Sequence, residues 1–366
     1  MKIKCVEPIA VSLPMVKPIK RSKGEVRTAD NVLVRVEADG VVGWGEAGSA
    51  PTMTGELLGS MTAAVRYLAP FLEGLPLEDI AHASAHMEHN LYGNHGAKAA
   101  IEMALHDALG KTLGKPVYEL LGGKCRERIP ALRLIASGDT ATDVAEAARL
   151  KAEGYVAYKI KLSSTNWRLE AERTRCICEA LGTGLLISAD VNQGWTADQA
   201  IEYVRAVADT SLDFFEQPVR GDDLAGMARV AAASRIEISC DEGVHRIEDL
   251  RRHHAARAAH GASLKTVKLG GLKPLYDAAL LCHELGMKVN LACKIAESGI
   301  ATAAVLHLAA AIPSLEWGVS LTSPYLAEDV LVRPLVFADG HALVPSGPGL
   351  GIDVDEARVR RFSVER

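Results

Sequence analysis

Three acidic residues and a lysine recur at nearly even spacing in the second half of the chain, each near the end of a short apolar segment. They are Asp190, Glu216, Asp241 and Lys265, separated by 26, 25 and 24 residues. That spacing matches one strand, one helix and two loops, so it predicts four side chains at one end of a barrel. Lys161, 29 residues before Asp190, extends the series. Three carboxylates between two lysines predict a site for a hard divalent cation, with a base on each side.

Apolar segments alternate with helical patterns through this part of the chain. The predicted strands are 131–136, 156–161, 185–190, 212–216, 236–241, 263–269, 288–291 and 315–318. Eight strands with helices between them favour a TIM-type barrel over an open sheet. We therefore expect an α/β fold with a catalytic barrel at residues 126–325.

The residues before the barrel show a different pattern. Two β-branched segments within 32–46 are joined at Asp39-Gly40, which predicts an antiparallel hairpin. Apolar residues at helical spacing between 101 and 113 predict a helix that stops at Gly114 to Pro116. We expect an α+β domain at 1–125 and a turn-rich C-terminal segment, 326–366, that returns to it.

The composition argues against several classes of protein. The chain has 366 residues, a formal net charge of −5 and no long basic run, so we expect no binding to nucleic acid. Its apolar segments are too short or interrupted to cross a bilayer, and residues 1–14 lack the apolar core of a signal peptide. Seven scattered cysteines are typical of thiols in a reducing compartment. We expect a cytoplasmic protein that does not bind membranes.

Residues two apart on a strand face the same side of the sheet. Lys159 and Lys161 should therefore point together, and so should Asp190 and Asn192. Each pair has a structural alternative, as solvated lysines at an edge or as a polar exit from a strand. Helix capping explains any one of the acids, but three acids at consecutive strand ends favour a metal site.

Two lysines compete for the place opposite Lys161. Lys265 continues the spacing of the acids, so we prefer it. Lys268 is expected to face away from the site or to lie at the strand exit, before Gly270-Gly271.

The segment Gly43-Trp44-Gly45-Glu46-Ala47-Gly48 literally matches the dinucleotide-binding fingerprint. Ser49, Ala50 and Pro51 follow where a helix would have to begin, and no supporting βαβ unit is evident. We therefore expect no dinucleotide cofactor.

These motifs together resemble the enolase superfamily, in its muconate lactonizing enzyme subgroup, over nearly the whole chain. The resemblance rests on Lys159-Ile160-Lys161, Asp190-Val191-Asn192, Glu216-Gln217-Pro218, Asp241-Glu242, Leu264-Lys265 and Gly270-Gly271, with further similarity at 94–123, 136–140 and 347–351. It implies a modified TIM (β/α)7β barrel, an α+β N-terminal capping domain completed by the C-terminal tail, and a homo-oligomer.

The resemblance also implies roles for individual residues. Asp190, Glu216 and Asp241 would bind Mg²⁺, with Mn²⁺ as an alternative. Lys161 and Lys265 would act as acid and base at the carbon next to a carboxylate, through an enediolate, and Lys159 would tune Lys161. The candidates for supporting the site or contacting substrate are Asn192, Glu242, Lys268 and Ser320.

Departures from the subgroup bear on the reaction. Muconate cycloisomerases carry a glutamate, and dipeptide epimerases an Asp-x-Asp motif, where this chain has Ser320, and residues 291–294 offer no histidine of the mandelate racemase type. Lysines on both sides favour racemisation or epimerisation of a small carboxylate or amino-acid derivative. The alternatives are a cycloisomerase or syn-dehydratase on the same site, and a non-catalytic metal-binding barrel.

In this subgroup, loops of the capping domain set specificity. Residues 17–27 contain five basic residues, and Lys20 and Arg21 are our candidates for binding an anionic or zwitterionic carboxylate. A solvated loop explains the same residues. Residues 51–55 form a second candidate lid.

Overall fold

The N-terminal part of the chain is a three-stranded antiparallel sheet covered by helices. In this computed structural model the described residues are 1–21 and 24–364, without the side chains of 19–21 and 24–26, so the predicted contacts of Lys20 and Arg21 lie outside the described residues. The elements are β1 (Ile3–Arg21), β2 (Gly24–Ala38), β3 (Val41–Gly48), α1 (Leu58–Leu72), α2 (Ile80–Asn90), α3 (His95–Leu113) and α4 (Val117–Leu121). Asp39 and Gly40 both have positive φ, 46° and 88°, which forms the predicted hairpin turn.

The glycines of the segment that matches the dinucleotide fingerprint bring β3 against α3. A Cβ at Gly43 would lie 2.1 Å from the carbonyl oxygen of Ala104, and one at Gly45 would lie 1.9 Å from that of Ala100. Only glycine permits this approach of strand and helix. The segment is therefore a buried strand rather than a loop that leads into a helix.

The second part of the chain alternates strands and helices around a closed barrel. Its elements are β4 (Arg128–Ile135), α5 (Thr140–Ala152), β5 (Ala157–Lys161), α6 (Trp167–Leu181), β6 (Leu186–Asp190), α7 (Ala197–Ala206), β7 (Phe214–Glu216), α8 (Leu224–Ala233), β8 (Glu237–Cys240), α9 (Ile247–Ala255), β9 (Gly261–Leu264), α10 (Thr266–Leu269), α11 (Leu272–Glu284), β10 (Lys288–Ala292), α12 (Gly299–Ala311) and β11 (Val319–Ser320). Strands β4 to β11 are parallel in sequence order, and β11 pairs with β4 to close the ring.

The predicted (β/α)7β architecture is confirmed. An α-helix follows each of the first seven barrel strands, whereas only a 3₁₀ turn (Ser323–Tyr325) follows the eighth, β11. Buried apolar side chains form two clusters, one centred on the barrel and one under the three-stranded sheet. No helix of the described residues is long and apolar enough to cross a bilayer.

Two predicted strands are wrong in extent. The predicted strand 263–269 ends at Leu264, because the chain turns at Lys265 into the short helix α10, where Leu269 N donates to Lys265 O (3.2 Å). The predicted eighth strand, 315–318, lies one step too early, since residues 319 and 320 pair with both neighbours. Trp317 instead stacks on Phe214, with ring centroids 4.3 Å apart.

The C-terminal tail packs along the N-terminal domain. It contains β12 (Phe337–Ala338), β13 (His341–Leu343) and α13 (Glu356–Phe362). Leu350 N donates to Asp107 Oδ1 of α3 (2.8 Å), and Val364 N donates to Ala10 O of β1 (2.9 Å). The tail therefore completes the capping domain, as the resemblance implied.

Buried carboxylates join the two domains beside the barrel mouth. Glu102 of α3 accepts from Leu272 N (2.7 Å) and Lys273 N (2.9 Å), so it caps α11 of the barrel. Gly271, with φ 156°, leaves the space for it, since a Cβ there would lie 2.6 Å from Glu102 Cδ. This contact explains the second glycine of Gly270-Gly271 and fixes α10 between the domains.

Glu46 of β3 makes a second link. It accepts from Ser298 N (2.8 Å), Ser298 Oγ (2.6 Å) and Ala301 N (3.0 Å) at the start of α12, and from Asn31 Nδ2 (2.8 Å). Burial, reinforced by the charge of Glu297, raises the pKa of Glu46 to about 8. Glu46 thus ties the capping sheet to the helix behind the seventh barrel strand.

The raised pKa of Glu46 predicts a pH-dependent stability. A carboxyl whose folded pKa exceeds its unfolded value stabilises fully below the unfolded value, and this contribution is lost as the pH rises through the folded one. Between pH 5 and 8 we expect the free energy of unfolding of wild type to fall relative to Glu46→Gln by about 1 kcal/mol per pH unit. Urea unfolding at pH 5, 6.5 and 8 measures this, with the partly exposed Glu37→Gln as control. A difference that stays constant across these pH values would contradict it.

Candidate active site

The carboxyl ends of the barrel strands open into a cavity of about 900 Å³ below the capping domain. The cavity is lined by Lys161, Asp190, Glu216 and Lys265 from the barrel, and by Ala50, Thr52 and Met53 from the loop after β3. Asp190, Glu216 and Asp241 are each 1% exposed. The structure therefore brings together the acids and lysines that the spacing singled out.

Strand register places three of these residues side by side. Lys161 of β5 pairs with Asp190 of β6, and Asp190 pairs with Glu216 of β7. In-register residues on neighbouring parallel strands point the same way. The three residues form a row because the strands end at the same level of the barrel. Within this row Lys161 Nζ donates to Asp190 Oδ2.

Glu216 is fixed from below. Its Oε2 accepts from Lys159 Nζ (2.6 Å) and from Ser263 Oγ (2.7 Å). Lys159 thus pairs with Glu216 one level down, while Lys161 pairs with Asp190. The sequence motif does not distinguish these two partners, and Ser263 is a contact that sequence reasoning missed.

Asp241 is held between two lysines on the other side of the row. Lys265 Nζ donates to Asp241 Oδ2, and Lys268 Nζ donates to Asp241 Oδ1 (2.6 Å) and to Ser263 O (3.0 Å). The expectation that Lys268 faces away is wrong, because helix α10 turns its side chain back under Asp241. Lys265 lines the cavity, whereas Lys268 is fully buried behind it.

Asn192 and Glu242 connect the carboxylates. Asn192 Nδ2 donates to Asp190 Oδ2 (3.2 Å) and to Glu242 Oε1 (3.2 Å), and its backbone N donates to Asp190 Oδ1 (2.7 Å). This geometry requires a positive φ of 46° at Asn192, which asparagine tolerates better than most residues. Glu242 lines the cavity, and its Oε2 is buried without a hydrogen-bond partner among the described residues.

Neighbouring charges oppose the effect of burial on the pKa of some groups in this cluster and reinforce it for others. Burial acts to raise the pKa of Asp190 and Asp241, but the lysines beside each of them outweigh it and lower both pKa values. Burial and the neighbouring aspartates raise the pKa of Glu216, and they raise that of Glu242 to about 8. For Lys265, burial acts to lower the pKa, but Asp241 and the other acids outweigh it and raise the pKa.

The donor set fits a hard divalent cation. Four buried carboxyl groups lie within one cluster, and one oxygen, Glu242 Oε2, has no partner in the described part of the chain. Oxygen ligands without histidine or cysteine suit Mg²⁺ or Mn²⁺ better than Zn²⁺. In the residues that the structure describes, no three acidic, histidine or cysteine side chains already meet at one point. Asp190 instead contacts Lys161, and Asp241 contacts Lys265.

Sequence reasoning missed two further residues. Gln217 accepts from Asp241 N (2.7 Å) and Gly243 N (3.1 Å), so it holds the end of β8 next to Glu216. The sequence signal for Gln217 is its place between Glu216 and Pro218, at the end of a strand. The structure shows a φ of 37° at Gln217, which departs from strand geometry. Lys294, two residues after β10, lines the cavity. Ser320, already a candidate, lines it as well.

The fold and the sequence agree with proteins of known structure. Residues 6–122 match the N-terminal domain of the mandelate racemase / muconate lactonizing enzyme family, and residues 142–358 match the enolase C-terminal domain-like family. A chloromuconate cycloisomerase of Cupriavidus necator is 32% identical over 368 residues, which cover 99% of each chain.

Two solved structures are similar over the same extent. A muconate lactonizing enzyme from Pseudomonas fluorescens, complexed with muconolactone, has a TM-score of 0.95 and 34% identity, with 99% of both chains covered. An N-succinyl Arg/Lys racemase from Bacillus cereus has a TM-score of 0.95 and 29% identity, covering 100% of this chain and 99% of that one. The chain therefore belongs to the mandelate racemase/muconate lactonizing enzyme family of the enolase superfamily, and it is an isomerase.

Proposed function

We propose that the protein is a cycloisomerase that closes an unsaturated dicarboxylate of the muconate type to a lactone. Proton transfer at a bound acid is supported by the position of Lys161, on the second barrel strand, and Lys265, directly after the sixth, on either side of the buried carboxylates. Two amines at these positions can reach opposite faces of a bound acid. The full-length similarity to named cycloisomerases supports this reaction over the racemisation that the sequence favoured.

The reaction requires proton transfer next to a carboxylate. One carboxylate oxygen of the substrate attacks the double bond conjugated to the other carboxylate, which forms a C–O bond and moves the π electrons into an enolate. A lysine ammonium then donates its proton to the neighbouring carbon and becomes a neutral amine, which takes a proton from solvent. Lys161 and Lys265 are the two candidates, because both line the cavity and each contacts an aspartate of the acid cluster.

A divalent cation belongs to this proposal. Asp190, Glu216 and Asp241 would hold Mg²⁺, or Mn²⁺ in its place, and the bound ion would supply the charge that stabilises the enolate. Lys159 and Ser263 keep Glu216 in place from below. Gln217 holds the backbone of Asp241, and Asn192 links Asp190 to Glu242.

Racemisation or epimerisation of an N-acylated amino acid is the second candidate. It is favoured by the two lysines on opposite sides, since one can remove a proton and the other can return it. The similarity to an N-succinyl Arg/Lys racemase supports it at 29% identity. Elimination of water from a hydroxy acid would use the same lysines.

The reactions are separated by NMR in D₂O with Mg²⁺. We expect cis,cis-muconate or 2-chloromuconate to give a lactone with one deuterium on the carbon next to its free carboxylate. Deuterium at the α carbon of N-succinylarginine, without a new product, would instead establish the racemase. Unchanged turnover in both Lys161→Ala and Lys265→Ala would refute the assignment of these lysines and favour a non-catalytic metal-binding barrel.

A further inference from the structure

The cavity has a second side, formed by strands β10, β11 and β4. Ala292 of β10, Ser320 of β11 and Leu132 of β4 lie in register there. Because β11 is the eighth strand of the ring and β7 the fourth, Ser320 lies across the barrel from Glu216. The apolar lining of this side comes from Leu132, Leu134, Ile295, Leu321 and Met53. A substrate whose reacting carboxylate binds at the acids would extend over this surface.

Lys294 brings charge to this side. Among the described residues that line this side, Lys294 is the one with an amine or carboxyl group. Lys294 is 6% exposed, and a Cβ at Gly48 would lie 2.7 Å from its Cδ, so its stem passes under the end of β3. The carboxylate of Glu297, close by, does not line the cavity and accepts from Gly48 N (3.0 Å) and Lys294 N (2.8 Å).

Ser320 brings an unused hydrogen-bond donor to the same place. Ser320 is 9% exposed and lines the cavity, and its Oγ is buried without a partner among the described residues. Its backbone is fixed, because Ser320 O accepts from the backbone N of Cys293 (2.9 Å), the residue before Lys294. A buried hydroxyl without a partner is costly in the free protein, and a bound acceptor removes that cost.

We propose that Lys294 and Ser320 form a subsite for a second anionic group of the substrate, remote from the carboxylate at the acid cluster. The substrate class is then a dicarboxylate, whose two charged ends are joined by an apolar chain that lies on Leu132, Leu134 and Ile295. Lys294 supplies the charge and Ser320 a hydrogen bond to a carboxylate oxygen. This inference rests on the proposed function, because it takes the carboxylate next to the protonated carbon to bind at the cation that Asp190, Glu216 and Asp241 would hold.

Calorimetry with matched acids tests the subsite without turnover. Glutarate is compared with pentanoate and adipate with hexanoate, in saturating Mg²⁺. In at least one pair we expect wild type to bind the dicarboxylate about tenfold tighter or more, since a charge-assisted hydrogen bond supports that factor. A factor of about two follows from statistics alone, because either carboxylate can bind at the Mg²⁺ that the acids would hold.

Variants assign the preference to the two residues. Lys294→Met should reduce the preference to about the statistical factor, Lys294→Arg should retain it, and Ser320→Ala should reduce it about threefold. Lys273→Met, an exposed lysine on α11 that is paired with Asp277, is the matched control and should leave it unchanged. Circular dichroism checks the fold, and if Lys294→Met does not fold, Lys294→Gln makes the same comparison.

The outcomes separate this inference from the proposed reaction. Equal binding of both acids in every pair, or a preference that persists in Lys294→Met, would overturn the subsite even if lactone forms. A preference that disappears in Lys294→Met supports the subsite even if muconate is not converted, in which case the cycloisomerase proposal fails alone.

Discussion

Replacing Lys265 with methionine is expected to lower kcat for lactone formation by about 10²–10⁴-fold, the range for loss of a positioned proton donor or acceptor. Lys265 lines the cavity, and its ammonium contacts Asp241. Methionine keeps most of the volume of the side chain but cannot transfer a proton. Because binding of the substrate depends mainly on other groups, KM should change much less than kcat.

Two further variants control for this result. Lys273→Met removes an exposed lysine of the same helical region and should leave kcat unchanged. Lys268→Met removes the buried lysine that contacts Asp241 from behind, so it should lower the melting temperature as well as the activity. Steady-state kinetics on all three proteins, with melting curves, would contradict the role of Lys265 if its kcat falls less than threefold.

The second large effect is expected for Glu216→Gln, in stability and in metal binding. Glu216 is 1% exposed and pairs with the buried Lys159, so the variant leaves an ammonium without its counter-charge. We expect a loss of about 3–5 kcal/mol in the free energy of unfolding. We also expect the rise in melting temperature that Mg²⁺ causes in wild type to be strongly reduced, since a ligand stabilises only the state that binds it.

Thermal unfolding with and without Mg²⁺ measures both effects. Glu237→Gln is the control, because Glu237 lies at the other end of the barrel, on β8, in a half-exposed pair with Lys288. That variant should respond to Mg²⁺ as wild type does. An equal response to Mg²⁺ in Glu216→Gln would rule out Glu216 as a metal ligand.

The order of strands and the level of the acids could be predicted because both depend on local spacing. A strand and a helix with their loops take about the same length each time, so Asp190, Glu216 and Asp241 reach the same end of the ring. The (β/α)7β form followed from the resemblance to the muconate lactonizing enzyme subgroup, whose motifs are each short runs of neighbouring residues. The comparisons favour a cycloisomerase over the predicted racemase. The sequence could not decide between these reactions, because both use the same proton-transferring lysines.

Other features depended on contacts between distant segments. Lys268 points to Asp241, contrary to the prediction, because α10 is held against α3 of the capping domain by Glu102 and Gly271. The alternation of residues along a strand does not predict that the chain turns into a helix at Lys265. Lys294 and Ser320 are 26 residues apart in sequence, and only the pairing of β10 with β11 brings them to the same side of the cavity.

The chain alone was sufficient to predict the barrel, its capping domain and the three acids with Lys161 and Lys265 at the barrel mouth, because these follow from patterns repeated along neighbouring residues. The three-dimensional structure decided which lysine pairs with which carboxylate, and it alone joined Lys294 and Ser320 across the cavity from the acids. Ion pairs and cavity walls depend on the packing of segments far apart in sequence, and that packing has no local pattern.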